Sequence, residues 1–373
     1  MTIPDLRRSM SVREARFEDN ESLLALTSAC VMAGPVAMYV DRSPDFFALN
    51  RLEGSAWRVG VATDSDDRVV GCVAAAGRLA YVNGLVQRTS YANDLKVHPA
   101  ERGSGAADLL TEYVCDATAE LGGAAAPCLL TILAGNRQME NRARGPRGAP
   151  ILSRFASLAV LAIPLLWERR ERIAGLCVRR AAAPDVEEMA AVWRTHAPGR
   201  QFAAIMEADD MAEWIAAAPG LAITDYLVAT DATGRIRGFM GVWDQSSFKR
   251  IRVVRYSPRM ALARRAINFA SPFFGAPPLP ASGEPMPALA TVHVCAGAPA
   301  ILRALLLDAY RRHRRGRCAF ITVGLDTSDP LARATRGLLG QPTYVDAYVT
   351  TPLGRAGPGL LDGRPLQFET ALV

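Results

Sequence analysis

The chain has 373 residues, half of them apolar and 21% charged, with a formal net charge of +6. That balance excludes a disordered or fibrous chain and suits two folded domains. The basic excess suits an anionic ligand without requiring nucleic acid. Seven cysteines (Cys30, Cys72, Cys115, Cys128, Cys177, Cys295 and Cys318) form no C-x-x-C pair, so neither a disulfide framework nor a zinc site is expected, and no metal. The N-terminal residues lack the apolar core of a signal peptide. The longest apolar run, Phe155 to Trp167, is broken by Ser157 and Pro164 and falls short of the roughly 20 residues that span a bilayer. A cytoplasmic protein with no membrane partner is expected.

In chain order, Val12-Arg13-Glu14-Ala15 reads as a strand, and Asp19 or Asn20 caps the helix carrying Leu23, Leu24 and Leu26. A helix is expected over Pro44 to Leu52. Two strands follow, Trp57 to Thr63 and Arg68 to Val82, joined by the turn Asp64-Ser65-Asp66-Asp67. Ser90 to Val97 is the next strand. It runs through His98-Pro99-Ala100-Glu101 into Arg102-Gly103-Ser104-Gly105-Ala106-Ala107. Ala106, Leu109, Leu110, Tyr113, Val114, Ala117 and Leu121 then mark one apolar helix face. Cys128 to Leu133 is a short strand, Asn136 to Arg144 a polar helix, and Phe155 to Leu166 a strand pair or hairpin edge closing the unit.

The pattern then restarts. Val178-Arg179-Arg180-Ala181 with Asp185 matches Val12-Arg13-Glu14-Ala15 with Asp19. Val228-Ala229-Thr230-Asp231 matches Val61-Ala62-Thr63-Asp64, and Arg235-Ile236-Arg237-Gly238 matches Arg68-Val69-Val70-Gly71. Three matches in order at nearly one offset imply a duplicated domain. We place the first domain at 1–170 and the second at 171–373, with an insertion at about 244–289. The insertion carries Lys249, Arg250, Arg252, Arg255, Arg259, Arg264 and Arg265, then a Pro-rich loop from Pro272 to Pro287 that no sheet interior would hold. Thr291 to Cys295 is the second copy's equivalent of Ser90 to Val97. The turn after it, Ala296-Gly297-Ala298-Pro299, has one glycine, no preceding Arg or Gln, and a proline where a donor would be wanted. Leu366 to Thr370 is expected as a closing strand.

Gly103 and Gly105 let the chain turn with its N–H groups outward, and free N–H groups at a helix N-terminus bind anions, with Arg102 adding a fixed charge. Arg102-x-x-Gly105-x-Ala107, directly after a strand ending at Val97, resembles the pyrophosphate-binding motif (Q/R-x-x-G-x-G/A) of the GNAT superfamily of acyl-CoA-dependent N-acetyltransferases. The order of elements, seen twice, resembles a tandem GNAT protein with a degenerate C-terminal copy. The resemblance implies an α/β fold, each copy a splayed mixed β-sheet flanked by helices. It implies acetyl-CoA or another acyl-CoA as co-substrate, held by Leu95, Lys96, Val97, Arg102, Gly103, Ser104, Gly105, Ala106, Ala107 and Asn136. The reaction would be direct attack of a primary amine, on a small molecule or peptide, on the thioester.

The resemblance is weakest at the reacting end. Many members carry a Glu where this chain has Asn93, and the frequent tyrosine acid is missing from Arg137 to Arg144. Asp94, or a water held by Tyr91 and Asn93, are the catalytic candidates, together with a residue from the second domain. Strand alternation puts Tyr91 and Asn93 on one face and Asp94 on the other. Two rival readings are an acyl-CoA sensor without turnover and, from the basic run Arg311 to Arg317, aminoacyl transfer from tRNA, with nucleic acid the less expected partner. His98 is expected to be a surface or backbone-bonded histidine, and Trp193, Trp214 and Trp243 to be core or interdomain residues.

Overall fold

The computed structural model describes residues 10–144, 151–166, 171–350 and 361–373. The expected domain boundary after residue 170 falls beside a stretch outside the described residues.

The first half runs β1 (Ser11–Glu14), α1 (Asn20–Ala29), β2 (Val36–Asp41), α2 (Asn50–Glu53), β3 (Ala56–Thr63), β4 (Val69–Val82), β5 (Leu85–Val97), α3 (Ala106–Gly122), β6 (Cys128–Leu133), α4 (Arg137–Arg142) and β7 (Ser153–Pro164). The second runs β8 (Cys177–Arg180), α5 (Val186–His196), β9 (Ala203–Ala204), α6 (Ala208–Ala217), β10 (Tyr226–Thr230), β11 (Ile236–Trp243), β12 (Arg250–Tyr256), α7 (Pro258–Phe274), β13 (Ala288–Ala296), α8 (Pro299–His313), β14 (Phe320–Asp326) and β15 (Gln341–Thr350). Each half is a mixed sheet flanked by helices, and the two sheets are joined into one.

The strand order is β1-β3-β4-β5-β6-β15-β7-β14-β13-β11-β10-β8, with β9 appended to β4. Read from either end, the same succession of elements leads to the middle, where the last strand of each half has crossed over. β15 pairs antiparallel with β6 of the first half, and β7 pairs antiparallel with β14 of the second. β7 and β15 also pair with each other. The apolar run Phe155 to Leu166 is therefore a central strand and not an edge. Its continuous hydrophobicity reflects sheet neighbours on both sides.

The two halves repeat local chemistry as well as order. Arg13 reaches Asp19 with both guanidinium nitrogens at 2.7 and 2.9 Å, and Arg179 does the same to Asp185 at 2.6 and 2.7 Å. Asp64 accepts the backbone N–H of Arg68, and Asp231 that of Arg235. The matched glycines Gly71 and Gly238 each lie under a helix. A Cβ there would meet Leu110 of α3 at 2.9 Å and Ile301 of α8 at 2.7 Å. Helix and sheet approach too closely at both places for any side chain.

Three local expectations are corrected. Pro44 to Leu52 is not one helix but a short 3-10 turn at Phe46–Ala48 followed by α2. Leu366 to Thr370 makes one isolated bridge, Leu366 to Gln201, and a terminal 3-10 turn in place of a strand. The insertion is more structured than a basic segment and loop. β12 pairs with β2 across the halves, and α7 follows it. Among the described residues no helix is long and apolar enough to cross a membrane.

Candidate active site

β5 and β6 run parallel only from Ser90↔Cys128 to Ala92↔Leu130. Beyond that they diverge, leaving a wedge between Asn93–Val97 and Thr131–Leu133. The wedge opens into a cleft of about 1440 Å³. Its walls include Leu95, Lys96 and Val97 on one side, Leu133 to Asn136 on the other, and Arg102 to Gly105 with Ala107 at the helix end. Of the ten residues expected to hold the co-substrate, only Ala106 is absent from the wall, being buried beneath it.

The helix end carries two unhindered glycines. Gly103 and Gly105 have φ of 89° and 97°, and nothing lies within 4 Å of where a Cβ would sit on either. Gly105 is the N-cap of α3 and has no side chain to cap it; Ser104 Oγ accepts the N–H of Ala106 at 3.4 Å, and Gly105 O accepts those of Asp108 and Leu109. Lys96, Arg102, Arg137 and Arg142 line the cleft against Glu101 and Asp108. Arg142 is bound to Ala107 O, Thr111 Oγ1 and Asp108, tying α4 to α3 across the cleft. Asn136 caps α4, its Oδ1 accepting from Met139 N.

At the inner end of the wedge the three expected catalytic residues separate by role. The Tyr91 hydroxyl lies 3.1 Å from Thr131 Oγ1 on the opposite strand, and its ring meets Phe368 edge-on. Burial, then the charge of Glu53, pushes the phenol up, so it keeps its proton at neutral pH. Asp94 has φ of 54°, and the β4–β5 register shifts around it. This bulge breaks the alternation that would have put Asn93 and Asp94 on opposite faces. Both instead join one ring, made of four side-chain hydrogen bonds and closed by the backbone between Asn93 and Asp94. Asp94 pairs with Arg42, Arg42 donates to Asn50 Oδ1 at 2.9 Å, Asn50 to Glu53 Oε2 at 3.3 Å, and Asn93 Nδ2 to Glu53 Oε1 at 2.6 Å. Lys96 pairs with Asp94 from outside the ring.

The ring divides its two carboxylates sharply. Burial alone would raise Asp94, but Lys96 and Arg42 overcome it and hold the carboxyl well below its ordinary range. Glu53 has no such cation at contact distance. Burial, then the charge of Asp94, raises it from 4.5 to about 7. Asp94 is thus a fixed anion and Glu53 a group that titrates near neutrality. Asn93 Oδ1 is buried without a hydrogen-bond partner among the described residues, a free acceptor at the end of the wedge. Lys249 lies buried within electrostatic reach of Arg42, Asp94 and Glu53. Burial lowers it to about 7, and its Nζ donates to the carbonyls of Ala371 and Val373.

Glu53, Arg42 and Lys249 carry no motif and could not be picked from the sequence. Each is a lone charged residue whose meaning comes from burial. His98 accepts the N–H of Ala100, as a turn residue would. Trp193 and Trp243 are buried in a core cluster that includes Ala48, Leu49 and Leu52 of the first half, and Trp214 packs against it and donates to Leu52 O at 3.1 Å.

The second half has the same frame without the opening. β13 and β14 also part after three paired residues, and His293 occupies the bulge with φ of 50°. Its ring accepts or donates at 2.8 Å to the Tyr226 hydroxyl and packs 4.3 Å from Trp214. Gln367, Phe368 and Glu369 fill the wedge, leaving about 10 Å³. At the matching turn, a Cβ on Gly297 would strike the His196 ring at 2.9 Å.

Comparison with solved structures finds this fold in several acyltransferases. Saccharomyces cerevisiae N-myristoyltransferase with bound myristoyl-CoA matches with a TM-score of 0.62 at 10% identity, over 94% of this chain and 84% of that one. A GCN5-related N-acetyltransferase from Sphaerobacter thermophilus gives 0.56 at 16% identity, over 94% and 97%. A probable N-acyltransferase from Enterococcus faecalis V583 gives 0.53 at 12%, over 92% and 73%. The chain has the GNAT fold across nearly its whole length. No protein-family model matches the sequence, and no curated protein is similar to it in sequence.

Proposed function

We propose that the protein transfers an acetyl or other short acyl group from acyl-CoA to a primary amine of a small molecule or peptide. The observation that carries this reading is the contrast between the wedges: one is open, cationic and ends in unhindered glycine turns, and the other is filled by the chain itself. The fold neighbours include an enzyme holding myristoyl-CoA, which supports an acyl-CoA as occupant.

In this reading Arg102 and the N–H groups of Gly103 to Ala107 receive the pyrophosphate. The unpaired edge of Leu95 to Val97 receives the amide chain as a pseudo-strand. Attack on a thioester builds positive charge on the nitrogen and negative charge on the carbonyl oxygen. Asn93 Oδ1 accepts an N–H of the incoming amine. Glu53 acts as a positioning residue. It holds Nδ2 of Asn93 so that Oδ1 faces outward, and its charge stabilises the nitrogen as it becomes cationic. Tyr91, kept protonated, is the donor assigned to the leaving thiolate, the proton shed by the acylated nitrogen returns through solvent to the Tyr91 phenolate, and Asp94 anchors the bulge. We assign the second copy, as a degenerate domain, to shaping the acceptor side.

The test is incubation of purified protein with acetyl-CoA and a panel of amines while free thiol is followed. Thiol release that depends on an amine supports transfer. Tight CoA binding with no turnover on any amine favours a sensor.

A further inference from the structure

Helix α7 is amphipathic the wrong way round. Three of its polar residues face the protein. Arg264 Nε donates to Pro280 O at 2.7 Å, Asn268 exchanges hydrogen bonds with Leu279 at 3.0 and 2.7 Å, and Ser271 is buried. Its large apolar residues face outward. Leu262, Phe269 and Phe273 are 69%, 80% and 79% exposed. With exposed Ala266 they fall at i, i+4, i+7 and i+11, one stripe along the helix.

The stripe has charged borders. At 100° per residue, Arg259 and Arg265 lie about 60° to either side of its centre, and both are exposed. No acidic residue occurs between Asp244 and Glu284, a stretch holding Lys249 and six arginines. At the far end, the Arg315 side chain lies against Gly275, adding the exposed Arg315 and Arg317 to the same end of the helix.

We propose that α7 lies flat on an anionic lipid bilayer, with Leu262, Phe269 and Phe273 below the headgroups and the bordering arginines on lipid phosphates. An apolar stripe edged by arginines, with no acid to repel the surface, is the pattern of an interfacial helix. Seventeen residues make a helix of about 25 Å, so it lies on the membrane and does not cross it. A second copy of the chain fits worse. Two such stripes facing each other set arginine against arginine, with no carboxylate on the segment to pair them. Hydropathy gave an expectation of no membrane partner, but hydropathy averages over a window and tests only for spanning segments.

The location gives the contact a consequence. Ser257, the N-cap of α7, donates its N–H to Pro35 O at 2.8 Å. Val31, Met32 and Ala33, just before it, line the open cleft. A docked α7 holds that edge of the cleft beside the lipid surface.

The test is co-sedimentation of the full chain with vesicles of phosphatidylcholine plus phosphatidylserine, against vesicles of phosphatidylcholine alone. The expected result is binding to the anionic vesicles that weakens with salt. Phe269→Ser with Phe273→Ser should reduce it at least about tenfold, and Arg259→Gln with Arg265→Gln should remove most of the preference for phosphatidylserine. All four side chains are exposed, so thermal melting of each double variant should match the wild type and exclude misfolding as the cause. Failure to bind anionic vesicles overturns the proposal, as does binding that survives both double variants. Sedimentation equilibrium supplies the competing outcome: a dimer broken by the serine variant, with no vesicle binding, assigns the stripe to a second copy.

Discussion

Glu53→Gln tests the hydrogen-bonded ring without requiring the substrate to be known. The substitution keeps the side chain's shape and its acceptor for Asn93 while removing the charge. The native state raises Glu53 from 4.5 to about 7, which at about 1.4 kcal/mol per unit corresponds to about 3 kcal/mol given up when the buried carboxyl ionises. Below pH 4.5 the group is protonated in both folded and unfolded chains and contributes nothing. Between 4.5 and about 7 only the unfolded chain releases the proton, so this group lowers stability as pH rises; above about 7 the whole cost is present.

The variant lacks that term. Its stability relative to wild type should therefore climb with pH across this window, by up to about 3 kcal/mol. Urea unfolding at about pH 5, 6, 7 and 8, followed by tryptophan fluorescence, reads the difference directly. A difference that is flat, or that falls as pH rises, refutes the assignment of a near-neutral Glu53. The kinetic counterpart uses whichever amine the thiol assay finds. Wild-type kcat/KM should rise through about pH 7 as Glu53 ionises, and the variant should be slower and lack that limb.

Arg102→Glu should weaken CoA binding about 10- to 100-fold in titration calorimetry, since charge-assisted hydrogen bonds contribute about 1.5–3 kcal/mol. Gly105→Val forces a branched residue to φ of 97° and fills the cradle. It should lower stability by about 1–3 kcal/mol and abolish CoA binding, whereas Gly297→Val, which meets the His196 ring, should destabilise without changing CoA affinity. Lys249→Met should show the opposite pH slope to Glu53→Gln. The wild-type ammonium, lowered to about 7, sheds its proton on folding between about 7 and 10.5, so wild-type stability rises there and the variant's relative stability falls.

What the sequence disclosed follows from the range of each interaction. The cradle was legible because glycine spacing, a single arginine and a 3.6-residue apolar period are local signals, and α3 indeed begins at Ala106. The repeated turns were legible because Asp64 and Asp231 shape them within four residues. The ring was not, because Arg42 meets Asp94 52 positions away and Glu53 meets Asn93 40 positions away. Alternation even misplaced Asp94, since a bulge leaves no periodic trace. The identity of β15 as the neighbour of β6 was equally hidden: hydrophobicity marks a strand without naming its partner. In α7 the arginines drew a reading of a basic segment and loop, although Leu262, Phe269 and Phe273 already had helical spacing.

The crossover of β7 and β15 gives a physical reason for a second half that holds no open cleft. Each half's sheet is completed by the other's final strand, so neither closes its own core alone. Past β15 the chain turns back. Leu366 to Glu369 fill the second wedge, where Glu369 accepts the N–H of His293 at 2.9 Å. Ala371 and Val373 then meet Lys249, whose electrostatic neighbours are Arg42, Asp94 and Glu53 of the first half. The segment that closes one wedge thus ends against the ring at the base of the other. The filling of the second wedge and the buried surroundings of Lys249 are thus made by one short segment of chain, Leu366 to Val373.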